Sequence, residues 1–402
     1  FHQHSSRPCA RSSPGMKLLG KRISKGSGAH PLLGKTVQIG AYSVKAVGVL
    51  GEGGLATVYH AVDASGAAFA VKHMRLADAD AMADMAMEAQ TLSKLQGHPN
   101  VVELLATAVS GPEGAETDGY MLLEYCSSTA HDLIKECNGR LEEAAALAIF
   151  CDVCAVVSCM HSLAPPVAHR DLKVENVLRS RSGRWVLCDY GSATARAQVY
   201  ETTAQIAEEE ERIRRHTTPA YRAPEMWDLF SRQRIDIKVD VWALGVLLYV
   251  LLYNKLPFGD QKLAVLNCRY DLPPGRSIVS ESLVRRLLVP SPDARPAMPD
   301  VVAAAAYAAD AAAARASGSP LPPPPPPEQQ QQPQQQVRPG VGVQRQGESA
   351  GAKAKAEGPK PSAAPAAAHA ARPEPLICVD DWAETAFPPS SPQPQQQQQR
   401  PD

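Results

Sequence analysis

Between residues 50 and 62 the chain reads LGEGGLATVYHAV, and the glycines at 51, 53 and 54 are the first residues whose type and spacing suggest chemistry. A glycine-rich turn leaves backbone N–H groups uncovered, and a row of them attracts phosphate oxygens. Ala56 stands where a GxGxxG pattern would have its third glycine, so three readings are open: a nucleotide site, a degraded one, or a hairpin. Ionisable groups follow. Lys72 lies in AFAVKHM and Glu88 in AMEAQTL, while VAHRDLKVENVL and WVLCDYGSAT bring Asp171, Lys173, Asn176 and Asp189. A second candidate, metal ligation by Cys151, Cys154 and His161, fails on distance. In a helix Cys154 and His161 share a face but stand about 10 Å apart along the axis, too far for one zinc, so buried helical thiols are expected.

The elements that must hold these groups are legible from periodicity. Residues 42 to 74 alternate in period two and carry turn signals at GEGG and DASG, which predicts a three-stranded antiparallel meander. Residues 76 to 97 have helical spacing and strong helix formers, with Met82, Met85, Met87 and Leu92 as packing positions. NVVELLATAV and GYMLLEYC read as two more strands. After Cys126 the pattern turns helical, through HDLIKEC, LEEAAALAIFCDVCAVVSCMHSL, VDVWALGVLLYVLLY, SESLVRRLL and an Ala-rich run from Met298. The stretch at 239–253 is the most apolar, but it contains Asp240 and falls short of the ~18 to 20 residues of a membrane span. A buried core helix and no transmembrane segment are expected, in an α+β chain with a small β lobe followed by a larger helical one.

Taken in order, the glycine turn, Lys72, Glu88, HRDLKVEN, DYG and Ala223-Pro224-Glu225 resemble the signature set of protein kinases. The resemblance covers residues 42 to 310 and implies a bilobal protein-kinase fold that uses ATP and Mg²⁺. It places Leu50, Gly51, Glu52, Gly53 and Gly54 over the phosphates, with Lys72 as fixed cation and Glu88 holding that lysine. Val58, Ala70, Leu123, Glu124, Cys126 and Leu178 would complete the ATP site. Asn176 and Asp189 would supply oxygen ligands to Mg²⁺. Asp171 would accept or orient the substrate hydroxyl, and Lys173, which marks the serine/threonine version of the loop, would meet the transferring phosphoryl group. Thr218 would lie beneath the substrate hydroxyl, Glu225 would pair with Arg295, and Asp240 would brace the catalytic loop. The other class of function is a pseudokinase scaffold binding partners through its lobes and tail; only Ala56 and Tyr190 speak for it.

GEGGLATVY, HPNVV, LCDYGSAT, TTPAYRAPEM, DVWALGVLLY and LPFGD are together similar to the Numb-associated kinase family, which includes adaptin-associated, cyclin-G-associated and actin-regulating kinases. There the loop carries EGGFA, so Ala56 becomes a matching feature. Tyr190 departs from the family's phenylalanine and adds a hydroxyl that needs a partner if buried; Leu123 is the gatekeeper. The resemblance implies protein substrates such as clathrin adaptors or actin-patch proteins, at endocytic vesicles or the plasma-membrane surface of the cytoplasm. No run of DPF or NPF motifs marks the tail. CSSTA holds no acid before Asp132, so no strong requirement for Arg upstream of the target is expected. Arg170 has the position that in many kinases binds a phosphorylated activation segment, with Tyr200, Thr202, Thr203 and Thr217 as candidate sites. EEEERIRRH at 208–216 reads as a solvated helical turn with pairs such as Glu208 and Arg212.

Composition sets the outer limits. Of 402 residues, 1–37 form a flexible basic segment, 38–312 the kinase domain (N-lobe 38–126, C-lobe 127–312), and 313–402 a disordered Pro-, Gln- and Ala-rich tail. A net charge of −1 argues against nucleic acid as a partner. No acid precedes Glu52, which suits a transit peptide, a membrane-surface patch or a solvated terminus. The start at Phe1 suits a fragment or an over-extended gene model with Met16 as first residue. The 9 cysteines are odd in number and lack a secreted-domain spacing, so reduced thiols are expected. Prolines 322–327 suit SH3- or WW-type domains or a spacer, and PLICVDDWAETAFPP at 375–389 suits a short motif that orders on binding.

Overall fold

The apolar–polar alternation around the glycine turn builds a sheet of six antiparallel strands. They are β1 (Thr36–Ile39), β2 (Tyr42–Glu52), β3 (Ala56–Val62), β4 (Ala68–Arg75), β5 (Leu104–Ser110) and β6 (Asp118–Glu124), in the order β1-β2-β3-β4-β6-β5. The computed structural model describes residues 30–323 apart from 55, 113–116 and 260. Expectations for residues 1–29, most of the proline run and 375–389 lie outside the described residues. The predicted meander is β2, β3 and β4; β1, four residues of TVQI, adds an edge that periodicity is too short to show. Register shifts between Ala46 and Gly48 and between Val49 and Gly51 bend β2 as it enters the glycine turn.

Helix α1 (Ala79–Leu95) lies against this sheet. Asp78 caps it by accepting from the Ala81 N–H at 2.8 Å, and Met85, Ala89, Leu92 and Leu95 are buried. The helix comes so close to β6 that a Cβ on Gly119 would stand 2.3 Å from Met85 Sδ. A larger residue there would require the Met85 side chain to move aside.

The second lobe contains β7 (Ser128–Thr129), α2 (Ala130–Glu136), α3 (Glu143–His161), β8 (Val177–Arg179), β9 (Trp185–Leu187), α4 (Thr203–His216), α5 (Pro224–Trp227), α6 (Lys238–Tyr253), α7 (Lys262–Leu266), α8 (Ile278–Leu287) and α9 (Met298–Ser317). Every residue of α6 from Val239 to Leu252 is buried, as an all-round apolar helix must be. Helix α3 packs on α9 and α6. It is the described helix long and apolar enough to cross a membrane by length and composition; the run at 239–253 is not, and α3 buries Leu147, Phe150, Val153 and Val157 within the lobe. One apolar cluster runs from Ala70 and Leu123 in the sheet to Leu244 and Val301 in the helical lobe, while a second, around Tyr59 and Leu122, covers the other face of the sheet.

Candidate active site

β4 carries Lys72 into the interior, where a charged amine is stable only if paired. Its Nζ donates to Glu88 Oε1 and Oε2, both at 2.7 Å, and to Asp189 Oδ1 at 2.8 Å. Burial works against the ammonium charge, but the Glu88 and Asp189 carboxylates outweigh it and hold Lys72 above its usual range. In return Lys72 draws the Asp189 carboxyl down to about 2. Gly191, the glycine of DYG, leaves room for Glu88: a Cβ there would stand 3.3 Å from Glu88 Oε2.

The glycine turn closes by a bond from the Gly53 N–H to the Ala56 carbonyl at 2.8 Å. A Cβ on Gly51 or Gly54 would meet nothing within 4 Å. Protein packing therefore does not require these glycines; the space they leave open is where a phosphate would need to approach the backbone. Ala56 opens β3 opposite Met74, in extended conformation that any residue adopts, so the missing third glycine is no defect.

Below the cleft, the loop before β8 is suspended from α6. Asp240 accepts from the His169 N–H at 2.7 Å, the Arg170 N–H at 2.9 Å and His161 Nε2 at 2.9 Å. Burial would raise the Asp240 carboxyl, yet these bonds and the charge of His161 keep it below the usual range. The pull holds Arg170 at φ 65°, and Asp189 has φ 63°; such left-handed values are unfavourable for side-chain-bearing residues and concentrate at functional sites. Asp171 is thereby fixed: Oδ1 accepts from Thr218 Oγ1 at 2.6 Å and the Thr218 N–H at 3.0 Å, and Oδ2 from Lys173 Nζ at 2.5 Å. Lys173 also reaches Thr218 Oγ1 at 3.1 Å. Asn176 Nδ2 donates to the Asp171 carbonyl at 2.9 Å, which leaves its Oδ1 as the atom available to a cation.

The segment after α4 is anchored by a bidentate pair in which Arg295 donates to Glu225 at 2.6 and 2.7 Å, with both side chains fully buried. Between the lobes, Leu50, Val58 and Cys126 pack beside Ala70 and Leu123, and Leu178 and Cys188 belong to the same apolar cluster. These walls suit a flat heteroaromatic ring. A separate cavity of about 430 Å³ lined by Phe69, Pro99, Glu103, Tyr125 and Arg181 shares only Glu124 with the nucleotide residues.

A carboxylate held by a hydroxyl and a lysine, facing a second carboxylate held by a buried lysine, is an arrangement for phosphoryl transfer. The sequence profile of the protein kinase domain matches residues 44–305. The chain belongs to the protein kinase family. It is 38% identical over 277 residues to a probable serine/threonine-protein kinase of Dictyostelium discoideum, covering 67% of this chain and 34% of that protein. A second Dictyostelium discoideum probable serine/threonine-protein kinase is 37% identical over 274 residues, 65% of this chain and 24% of the relative. The serine/threonine-protein kinase ppk30 of Schizosaccharomyces pombe is 38% identical over 247 residues, 60% and 26% of the two chains. The chain thus spans about a third or less of the length of these relatives.

Within this kinase domain Lys72 meets Glu88 and Asp189, and Asp171 meets Lys173 and Thr218, while one reading changes. The block at 208–216 is the larger part of a 14-residue helix, and Glu209 is not solvated: it is 1% exposed and accepts from Arg170 Nη1 at 2.7 Å. The signal was present, since Ile206, Glu209 and Ile213 are spaced i, i+3, i+7 and so share the buried face. Tyr190 does find a partner, though a long one: it is buried beside His169, and its hydroxyl donates to the Leu187 carbonyl at 3.4 Å. His161 is spent on Asp240, and burial pushes the Cys151 thiol up to about 11 and raises that of the buried Cys154 as well. Cys188, unremarked in the sequence, lines the cleft as a neutral thiol, its ionisation opposed by burial.

Proposed function

We propose that this chain is an active serine/threonine protein kinase that transfers the γ-phosphoryl group of ATP to Ser or Thr of proteins. The observation that carries the reading is the joint placement of Asp171, Thr218 and Lys173 opposite Lys72, Glu88 and Asp189. Asp171 orients the substrate hydroxyl and takes its proton, Lys173 stabilises the charge of the group in transfer, and Lys72 holds the nucleotide phosphates. Asn176 Oδ1 and Asp189 Oδ2 are the oxygens that would hold Mg²⁺, which neutralises phosphate charge when bound. Leu50, Glu52, Gly53, Val58, Ala70, Leu123, Glu124, Cys126 and Leu178 enclose the rest of the nucleotide. We place the pseudokinase scaffold second because all the charged groups are present and already paired.

Its substrates, in this reading, are clathrin-adaptor or actin-patch proteins, met in the cytoplasm at endocytic vesicles or the plasma-membrane surface; the motif resemblance to Numb-associated kinases supports this. The proline run is a ligand for SH3- or WW-type domains. Asp132 accepts from Thr129 N and Oγ1 in the cap of α2, so it is engaged locally, and no upstream Arg is required of substrates. Phosphorylation of arrayed peptides by the full chain should show Ser and Thr targets without an Arg preference at the −3 position, and faster labelling of adaptor-derived than of random sequences. An array dominated by Arg at −3 contradicts the substrate reading.

A further inference from the structure

The cavity of about 430 Å³ takes no part in the chemistry above, yet its volume lies within the range usual for ligand sites, roughly 300 to 1,000 Å³. It opens where the lobes meet. Phe69, Glu103 and Leu105 come from the first lobe, Glu124 and Tyr125 from the segment that joins the lobes, and Val186 from β9. The lining holds two carboxylates, Glu103 and Glu124, and one guanidinium, Arg181. That guanidinium is already engaged, since Arg181 Nη2 donates to the Ala68 carbonyl. Glu103 is exposed, and Glu124 accepts from the Glu103 N–H at 3.2 Å. Burial first, and then the charge of Glu103, hold the Glu124 carboxyl above its usual range. A cation carried on an apolar chain complements such a lining.

The chain has a segment of that chemistry within reach. Residues 16–25 read MKLLGKRISK, with Lys17, Lys21, Arg22 and Lys25 and no acid. They lie outside the described residues, but the point where the chain enters the fold does not. His30 packs edge-on against Tyr59 with ring centroids 6.4 Å apart. Leu32 is buried in the smaller apolar cluster of the sheet, against which Phe69 and Leu105 also pack, and these two are walls of the cavity. From Arg22 to His30 an extended chain spans about 26 to 29 Å, enough to cross one lobe. So short a tether raises the local concentration to the order of mM, an advantage no free peptide shares.

We propose that residues 16–22 dock in this cavity of their own chain, Leu18 and Leu19 against Phe69, Pro99 and Leu105, and Lys21 and Arg22 at Glu103 and Glu124. Docked there, the segment joins both lobes and favours the arrangement in which Lys72 meets Glu88 and Asp189. The docking stands apart from the kinase reading above; only its effect on ATP rests on that reading.

The test uses the full-length chain with Leu19→p-benzoylphenylalanine, irradiated and mapped by mass spectrometry. Crosslinks should fall on residues 68–69, 99–105, 124–125 or 180–186 of the same molecule. Irradiating a mixture of isotopically light and heavy chains separates the sources: light-to-heavy crosslinks mean a second copy and overturn the proposal. Lys21→Glu with Arg22→Glu, or Glu103→Lys alone, should lower the crosslink yield about 10-fold by placing like charges together, and combining all three should restore much of it. Hydrogen exchange at 103–105 and 180–186 should be faster in Lys21→Glu with Arg22→Glu than in wild type, with unchanged circular dichroism. The KM for ATP should rise about 5-fold in the same variant, at nearly unchanged kcat. Crosslinks elsewhere, a yield indifferent to Glu103→Lys, or equal exchange overturns the proposal. If no preparation transfers phosphate, the kinase reading fails by itself, and crosslinks and exchange still decide the docking.

Discussion

His169 shows how much one side chain of the catalytic loop sets. It is fully buried between Tyr190 and the Asp240 network, and burial holds its imidazole below the usual 6.5 despite the nearby carboxylates. A histidine with a depressed folded-state pKa binds more protons when unfolded. Stability therefore rises with pH through the window just below 6.5 and is lost as pH falls through it. The melting temperature of His169→Phe should show a smaller decline than wild type between about pH 6.5 and 5, and equal declines would remove His169 as the cause. At this scale most of the cleft was legible, because Lys72, Asp171, Asn176 and Asp189 stand in short motifs whose spacing is fixed by backbone geometry. Glu209 was not: four consecutive glutamates look alike in sequence, and only the phase of the helix singles one out.

Elements explain why the motifs meet. The strands, α1 and the buried α6 follow directly from periodicity, whereas β1 is too short and the α4 pattern too charged to stand out. Helix α4 depends on its ends more than most, since its exposed pairs, such as Arg212 with Glu208 at 3.7 Å, add little. Thr202→Ala removes the capping box that links Thr202 and Gln205 and should cost about 0.5 to 2 kcal/mol. Urea unfolding and far-ultraviolet circular dichroism of the variant measure this directly. Because Glu209 lies two turns away, kcat should fall alongside stability; a variant with lost stability and intact kcat would detach the cap from the catalytic loop.

Across the whole molecule, the two lobes share one apolar cluster and the Lys72–Asp189 pair, while inside the helical lobe Asp240 ties down the catalytic loop and Glu225 pairs with Arg295. The last is fully enclosed, so removing one partner leaves an unpaired buried charge. Arg295→Met should destabilise the protein by about 3 to 5 kcal/mol, read from the denaturation midpoint, whereas Glu225→Met with Arg295→Met together should recover much of that loss. An Arg295→Met protein as stable as wild type would show that the pair tolerates solvent. The central claim is that these ties hold a working phosphotransferase. Its most direct measurement is transfer of label from γ-labelled ATP with Mg²⁺ by the full-length chain, beside Asp189→Ala, followed by phosphoamino-acid analysis. Label on Ser and Thr with wild type and none with the variant is the expected result; equal labelling by both, or none by either, would contradict it.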